Sequence, residues 1–530
     1  MRKEPQFCMA EEKFNFAAVD AAFQTYCRIM FGRPVGGLLE FEPYLREAML
    51  PYAIMKSCVS GKDVYMSGPH YPKGGRFAGP GELAQVKQPP VSINDIKDAD
   101  SLFRAAGEQF VYCGNKVFGR NINTALVDNS INCIDVYYSH NVRNVKKAAY
   151  VSCVRESEYV FGIPAFPKIN YSMRCLEGIN VNRMFETYYS NHCSDMYYSF
   201  NCYNCSEVIF GFNLRGRRHV IGNVQLDAAR YSELKKKLAS EIAEELSKRK
   251  RAFSISDMAR MGVSERKGGD EYELIPTVPA PASVEKAFSE TAKIVLGVER
   301  SGISQYAPFL QKRALPVKKL RGKYGSAVYR PETPLVNTLP AGILCTREEA
   351  MAEDKPLVGE KELALPLREL ASAVAKKASI TLEMVEGETR EVPEITQAID
   401  STECWSSWDA TSSTRSACST GIIQSKYIFG GYFRMLDSEF CINCYDMVEA
   451  KRCFELDSSS KAIGCYFCHN VEGCEECIFC CNAKGLRHAV FNQQLPKGEY
   501  LRVKKMLLDY VNAELDRGKT IGQSVFSLVK

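Results

Sequence analysis

The chain has 530 residues, a net charge of +5, 45% hydrophobic and 25% charged residues, and 22 cysteines. That composition excludes a collagen-like or wholly disordered chain, and no run of about 18 apolar residues is present to cross a bilayer. No apolar stretch follows the basic residues Arg2 and Lys3, so no secretory signal is read and a cytoplasmic protein without membrane attachment is expected.

In chain order, Phe16, Val19, Phe23, Cys27 and Met30 recur at three- and four-residue steps, which predicts an amphipathic helix inside an α/β front part, residues 1–112. Residues 113–229 gather tyrosine and cysteine. A helix over 230–253 follows, with Leu234, Leu238, Ile242 and Leu246 on one stripe. Gly268-Gly269 and the prolines at 276, 279 and 281 mark a linker over 254–282. The same order then returns: a front part over 283–397, a Cys-rich part over 398–495, and a helix with a tail over 496–530. In that helix Tyr500, Val503, Leu507 and Val511 repeat the stripe.

The return is an internal duplication. Ser157-Glu-Tyr-Val-Phe-Gly162 matches Ser425-Lys-Tyr-Ile-Phe-Gly430, and Arg183-Met-Phe-Glu186 matches Arg452-Cys-Phe-Glu455. Cys175, Asn213, His219, Asn223 and Leu226 match Cys444, Asn482, His488, Asn492 and Leu495 at a constant offset.

Within the Cys-rich parts, Tyr188-Tyr189-Ser190 recurs nine residues later as Tyr197-Tyr198-Ser199. Cys175, Met184, Cys193, Cys202 and Gly211 also stand at nine-residue steps. Short strands ending in tight turns bury little alone and must stack. The expectation is an α+β chain whose two copies each carry a right-handed β-solenoid of two nine-residue arms per coil, with cysteines stacked inside and an amphipathic helix closing the end. An uncovered solenoid end is an open sheet edge, which would permit self-association. The GGxGxD core of calcium-binding nonapeptides is absent.

Cys465, Cys468, Cys474 and Cys477 form two CxxC pairs that would suit zinc as a four-thiolate site, although the five-residue gap between the pairs is short and the first copy lacks the set. An iron–sulfur motif from Cys474 fails where its fourth ligand would fall, at Lys484. A thiol ladder requires no cofactor, because free cysteine packs as a small hydrophobe.

Two stretches are basic, 215–253 and 312–330. They contribute Arg215, Arg217, Arg218, Lys248, Arg249, Lys250 and Arg251 in the first, and Lys318, Lys319, Arg321 and Lys323 in the second, a set suited to RNA or a ribosome surface. No nucleophile elbow, Walker loop, HExxH or dinucleotide fingerprint occurs, so no catalytic residues are assigned; Glu186 and Asp195 are the one carboxylate pair that could share a face.

The run Asn201-Cys-Tyr-Asn-Cys through Phe210-Gly-Phe-Asn-Leu-Arg, followed by His219 to Leu226 and a basic helix, resembles Cys-rich repeat proteins of small-genome bacteria and archaea, often labelled CoA-transferase-like. The resemblance covers 129–250 and, more loosely, 401–516. It implies the repeat architecture and no activity, and the zinc-ribbon cysteines with which those proteins begin are missing here. The reading is therefore a non-enzymatic scaffold that binds a macromolecule, protein or RNA. The alternatives are a zinc or redox protein using 465–481 and an RNA- or ribosome-associated factor using the basic stretches.

Overall fold

The computed structural model describes residues 14–263, 278–353, 355–418 and 453–528, with short pieces between 419 and 452. Most of the expected linker, Cys444 and part of the 425–430 match lie outside the described residues. Helices and strands are present in nearly equal measure, an α+β chain. It divides into two compact units. Unit 1 takes Met1–Leu50, Lys116–Met258 and Lys355–Val374; unit 2 takes Pro51–Asn115, Ala259–Asp354 and Ala375–Lys530. Pro51–Asn115 thus belongs to the unit that holds the second Cys-rich region.

Unit 1 is built on an 11-stranded sheet, parallel except at its last strand. Its register is regular: Glu158, Asn170, Asn182, Ser194, Ser206 and Arg218 lie side by side, each twelve residues after the last. The chain therefore returns every twelve residues, not every eighteen as two nine-residue arms would require. The cause is a three-residue unit. From Asn123 to Gly222 every third residue except Ala165 has left-handed backbone, so four corners close one rung. Each non-glycine corner costs about 1–2 kcal/mol.

The hydrogen bonds that hold these corners run between rungs. A corner amide donates to the carbonyl thirteen residues back, as Asn201 does to Tyr188 and Asn213 to Phe200. The preceding residue's amide donates forward, as Phe200 does to Gly211. The third amide of each unit follows the corner and points inward; some of these find a carbonyl, as Val181 does at Lys168 and Ser190 at Glu177, and others meet a side chain.

Inward side chains answer that need. The core of the stack, from Val127 through Cys133, Val145, Cys175, Cys193 and Cys202 to Val220, consists of residues one place after a corner. The space is narrow, so valine, alanine, cysteine and serine dominate. A serine or cysteine there does two things. Ser199 Oγ donates to the Tyr197 carbonyl at 3.0 Å and accepts the Gly211 amide, twelve residues on, at 3.1 Å. Ser139 accepts the Val151 amide, Ser190 that of Cys202, Cys193 Sγ that of Cys205, and Cys205 Sγ that of Arg217.

We name the four sides after the rung Cys193–Asn204. Side 1 turns Ser194 and Asp195 outward, side 2 Tyr197 and Tyr198, side 3 Phe200 and Asn201, and side 4 Tyr203 and Asn204. Side 2 is buried beneath the helix Phe16–Phe31. There Phe23 meets Phe161 and Phe31 meets Phe185 edge to face, and the Tyr26 and Tyr197 hydroxyls donate to the Met184 and Met30 carbonyls. Arg174 and Glu186 pair at 2.6 Å on adjacent rungs of the same side, fully enclosed, with the Tyr44 hydroxyl donating to Glu186 at 3.0 Å and the guanidinium over the Tyr44 ring. Side 3 is largely buried as well; sides 1 and 4 stay open.

The stack closes at its last strand. Arg218–Ile221 pairs antiparallel with Val224–Gln225, and the helix Ala228–Arg249 then buries Tyr231, Leu234, Leu238, Ile242 and Leu246, the stripe read from sequence. Residues of Lys355–Val374 support that helix: Lys237 donates to the Ala364 carbonyl, and Arg368 pairs with Glu245.

Unit 2 repeats these devices. Its 7-stranded sheet also steps by twelve, Phe454 to Tyr466 to Ile478. Tyr466 donates to Val295 of the helix Ala282–Leu296, as Tyr197 does to Met30, and Phe288 meets Phe429 as Phe23 meets Phe161. The helix Lys497–Gly518 buries Tyr500, Val503, Leu507, Val511 and Leu515. Here side 3 is covered by Val111–Cys113: the Val111 carbonyl accepts from Asn482, and the Cys113 amide donates to His469.

Two substitutions test these forces by chemical unfolding. Ser199→Ala orphans the inward Gly211 amide and should cost about 1–3 kcal/mol, whereas Ser199→Cys, which keeps an acceptor, should cost less. Glu186→Gln leaves a buried guanidinium without its counter-charge and should cost about 3–5 kcal/mol.

Candidate functional site

The cysteines of the 465–481 cluster are interior residues. Cys465, Cys468, Cys474 and Cys477 each follow a corner. Cys453, Cys465 and Cys477 stand one above another in a single inward column, with Cys468 and Cys480 in the next. Their thiols lie against carbonyls of their own rung. Cys465 Sγ contacts the Ile463 and Cys474 oxygens, each at 3.6 Å; Cys468 contacts Tyr466 and Cys477, Cys474 contacts Glu472 and Ala483, and Cys477 contacts Glu475 and Leu486.

Burial pushes the Cys468 thiol up, and Cys404 and Cys175 likewise. Among the described residues every cysteine is free, all but Cys58 are buried, and no group of three or more His, Cys, Asp or Glu side chains is arranged to hold a metal. The four cysteines assigned to zinc are thus brought close together, but as a column and its neighbours rather than as a converging tetrahedron. The CxxC spacing is the three-residue period of the rung, because consecutive inward positions stand three apart.

His219 and His488 each sit at the last rung of their own unit. His219 Nε2 is 2.9 Å from Glu207 Oε2, and its ring lies 5.5 Å from Tyr231 of the closing helix. His488 faces Tyr500 at 5.4 Å. Tyr500 Oη and Lys504 Nζ donate to Glu476, the residue that corresponds to Glu207. The arrangement ties the last rungs to the helix.

A buried His–Asp pair is not legible in the sequence. His469 Nδ1 lies 2.6 Å from Asp457 Oδ2, the Tyr71 hydroxyl donates to the same oxygen at 3.0 Å, and the Cys113 amide donates to Nε2 at 2.8 Å. Because Nε2 accepts, the ring proton is on Nδ1, and both nitrogens are engaged with no face left for a substrate. In unit 1 His140 Nε2 meets the Leu50 carbonyl at 3.2 Å, which places the proton on Nε2 there. Asp128, one rung before His140, pairs with Lys116 at 3.1 Å in full burial. The signal that could have revealed the His469–Asp457 pair is an aspartate twelve residues before a histidine, visible only once the twelve-residue period is known, and the same spacing at Asp128 and His140 gives two other pairings.

Glu186 and Asp195 do not share a site. Glu186 is enclosed with Arg174, and Asp195 holds Arg183 in a two-pronged pair at 2.7 and 2.8 Å.

The two basic stretches lie in different units, and most of their cations are committed locally. Arg218 pairs with Glu207, Lys248 with Glu244, Lys250 with Glu40, and Arg251 with Glu47 at 3.5 Å. In unit 2 Lys318 pairs with Glu332, Lys319 with the buried Glu394, and Lys323 with Glu353, while Arg321 donates to the Gly325 carbonyl. Arg215 donates to the Asn201 and Leu214 carbonyls, and Arg217 and Arg249 are exposed. No helix among the described residues is long and apolar enough to cross a membrane. No family model, curated protein or solved structure matches the chain.

Burial also holds His140 neutral, lowering it from 6.5 to about 4 despite the Leu50 carbonyl and Asp128. The unfolded chain therefore takes up the proton first as the pH falls, so this histidine's contribution to stability is full above about pH 6.5 and is lost toward pH 4. Urea unfolding across that window should show a loss of about 2–3 kcal/mol from this group, and His140→Asn should flatten the slope by that amount.

Proposed function

We propose that the chain is a non-enzymatic scaffold made of two copies of one unit, each a twelve-residue-per-coil β-solenoid closed by its terminal helix, and that it binds a macromolecule along the solenoid surface. The observation that carries this reading is the division of labour among the sides of unit 1. Sides 2 and 3 are largely buried by the protein's own elements, while sides 1 and 4 present mostly polar outward residues in straight rows, interrupted by Ile122 and Ile134 on side 1 and by Ile131 and Ile179 on side 4. A rigid repeated surface of this kind suits an extended partner. The polar groups best placed for chemistry, His469–Asp457 and Arg174–Glu186, are sealed and mutually satisfied, which supports binding over catalysis. The inward thiols support a protein kept reduced, as in a cytoplasm, since each is an internal hydrogen-bonding residue.

The test is a photoreactive amino acid placed singly at Asn144 and Asn180 on side 4 and at Asn182 and Ser206 on side 1, with Lys286 on the helix Ala282–Leu296 as control. A shared adduct from at least one side, absent from the control, supports the scaffold reading. No adduct from any of the four positions overturns it.

A further inference from the structure

The two open sides of unit 1 differ in charge balance. On side 1 cations and carboxylates alternate and neutralise one another: Lys147 pairs with Glu158, Arg183 with Asp195, and Arg218 with Glu207. Side 4 carries Arg120, Arg143, Arg155, Lys168 and Arg215, and its outward positions from 120 to 216 hold a single carboxylate, Glu156. That carboxylate reaches Lys168 at 3.9 Å with both side chains more than half exposed, a pair too solvated to quench the row. Among the described residues neither Arg120 nor Arg143 pairs with a carboxylate, and the Arg215 guanidinium meets only carbonyl oxygens.

Register turns this excess into a track. Arg143 and Arg155 are direct neighbours across the sheet, and Lys168 stands on the next rung. Strand spacing therefore sets these three cations about 4.8 Å apart, with Arg120 two rungs before them and Arg215 four rungs after, in a row that spans on the order of 38 Å. One side is three residues, about 10 Å, across, which admits one strand and not the two backbones of a duplex. Two further features distinguish a nucleic acid from an acidic peptide. Tyr203 is exposed on this side with its ring against His192 at 5.5 Å, a stacking platform for a base. The corners supply amides at Asn132, Asn144, Asn180 and Asn204, which can both donate and accept toward bases and a ribose 2′-hydroxyl.

We propose that side 4 of unit 1 is a binding track for single-stranded RNA. It rests on the scaffold reading and names the partner, and its residues other than Arg215 lie outside the two basic stretches of the sequence.

The experiment is fluorescence anisotropy of the full chain with a labelled 12-nucleotide RNA of mixed sequence, over a range of salt concentrations. The comparison probes are the same sequence as DNA and a poly-glutamate peptide. The triple variant Arg143→Gln/Arg155→Gln/Lys168→Gln should weaken RNA binding at least tenfold and flatten the salt slope by about 0.7 for each phosphate that is no longer neutralised. Its thermal unfolding should match the parent. Lys286→Gln/Lys293→Gln/Lys361→Gln, which removes the same charge elsewhere, should leave binding unchanged, and Tyr203→Ala should weaken RNA binding without altering its salt slope. The proposal is overturned by absence of RNA binding, by a triple variant that binds as the parent does, or by equal affinity for DNA or poly-glutamate. If RNA fails while photocrosslinks from Asn144 or Asn180 still appear, the scaffold reading survives and the RNA track does not.

Discussion

One amide in three of each rung faces the axis of the stack, and much of the rest of the structure follows from it. A chain that turns a corner at every third residue satisfies two amides of each unit through the rungs above and below, and aims the third at its own axis. A buried N–H without an acceptor costs as much as a lost hydrogen bond, so the interior cannot be purely aliphatic at every position. Serine and cysteine resolve this within the small volume available. Each gives its proton to the carbonyl two residues back and takes the amide of the next rung, as Ser199 and Cys205 show. The abnormal cysteine number is thereby a packing solution. The dense set near 465–481 marks the stretch where cysteine rather than serine or valine fills adjacent columns.

The terminal helices are legible in the sequence because their apolar stripes have the ordinary helical period and are not interrupted. Leu234, Leu238, Ile242 and Leu246 are buried as the spacing demands, and so are Tyr500, Val503, Leu507 and Val511. The nine-residue repeat misleads about the rung for a physical reason. Sides 2 and 3 share one buried, aromatic environment, so a residue on side 3 resembles the side 2 residue of the following rung. That separation is one rung less one side: nine residues, the step between Tyr188 and Tyr197. The self-similarity reflects similar burial, whereas the return distance is set by hydrogen bonding. The true period of three is present in Cys175, Met184, Cys193, Cys202 and Gly211, which all point inward, but their nine-residue steps are multiples of three and so conceal it.

The polar pairs are illegible for a different reason. His469 is completed by Tyr71 and Cys113, hundreds of residues away in sequence, and Arg174–Glu186 by Tyr44. Each joins residues twelve apart on one buried side to a segment laid over it. Desolvation makes such groups expensive unless every lone pair and proton is matched, so they fix which segment covers which rungs more strictly than apolar contact alone would. Their enclosure also removes them from solution chemistry. A histidine whose two nitrogens are held by a carboxylate and an amide can neither accept nor deliver a substrate's proton.

What remains for interaction is the surface that the protein does not use on itself. A square rung has four sides; two are spent on burial, and a third neutralises its charges along the stack. Side 4 of unit 1 carries a row of five cations with one carboxylate, Glu156, among its outward positions, on a backbone held in place because its rungs are bonded to their neighbours. Like charges held a few ångströms apart repel one another, and in a mobile loop they could separate; here the register forbids it. The stack thus holds its positive charge fixed in place, and an extended anion laid along the row would relieve that repulsion.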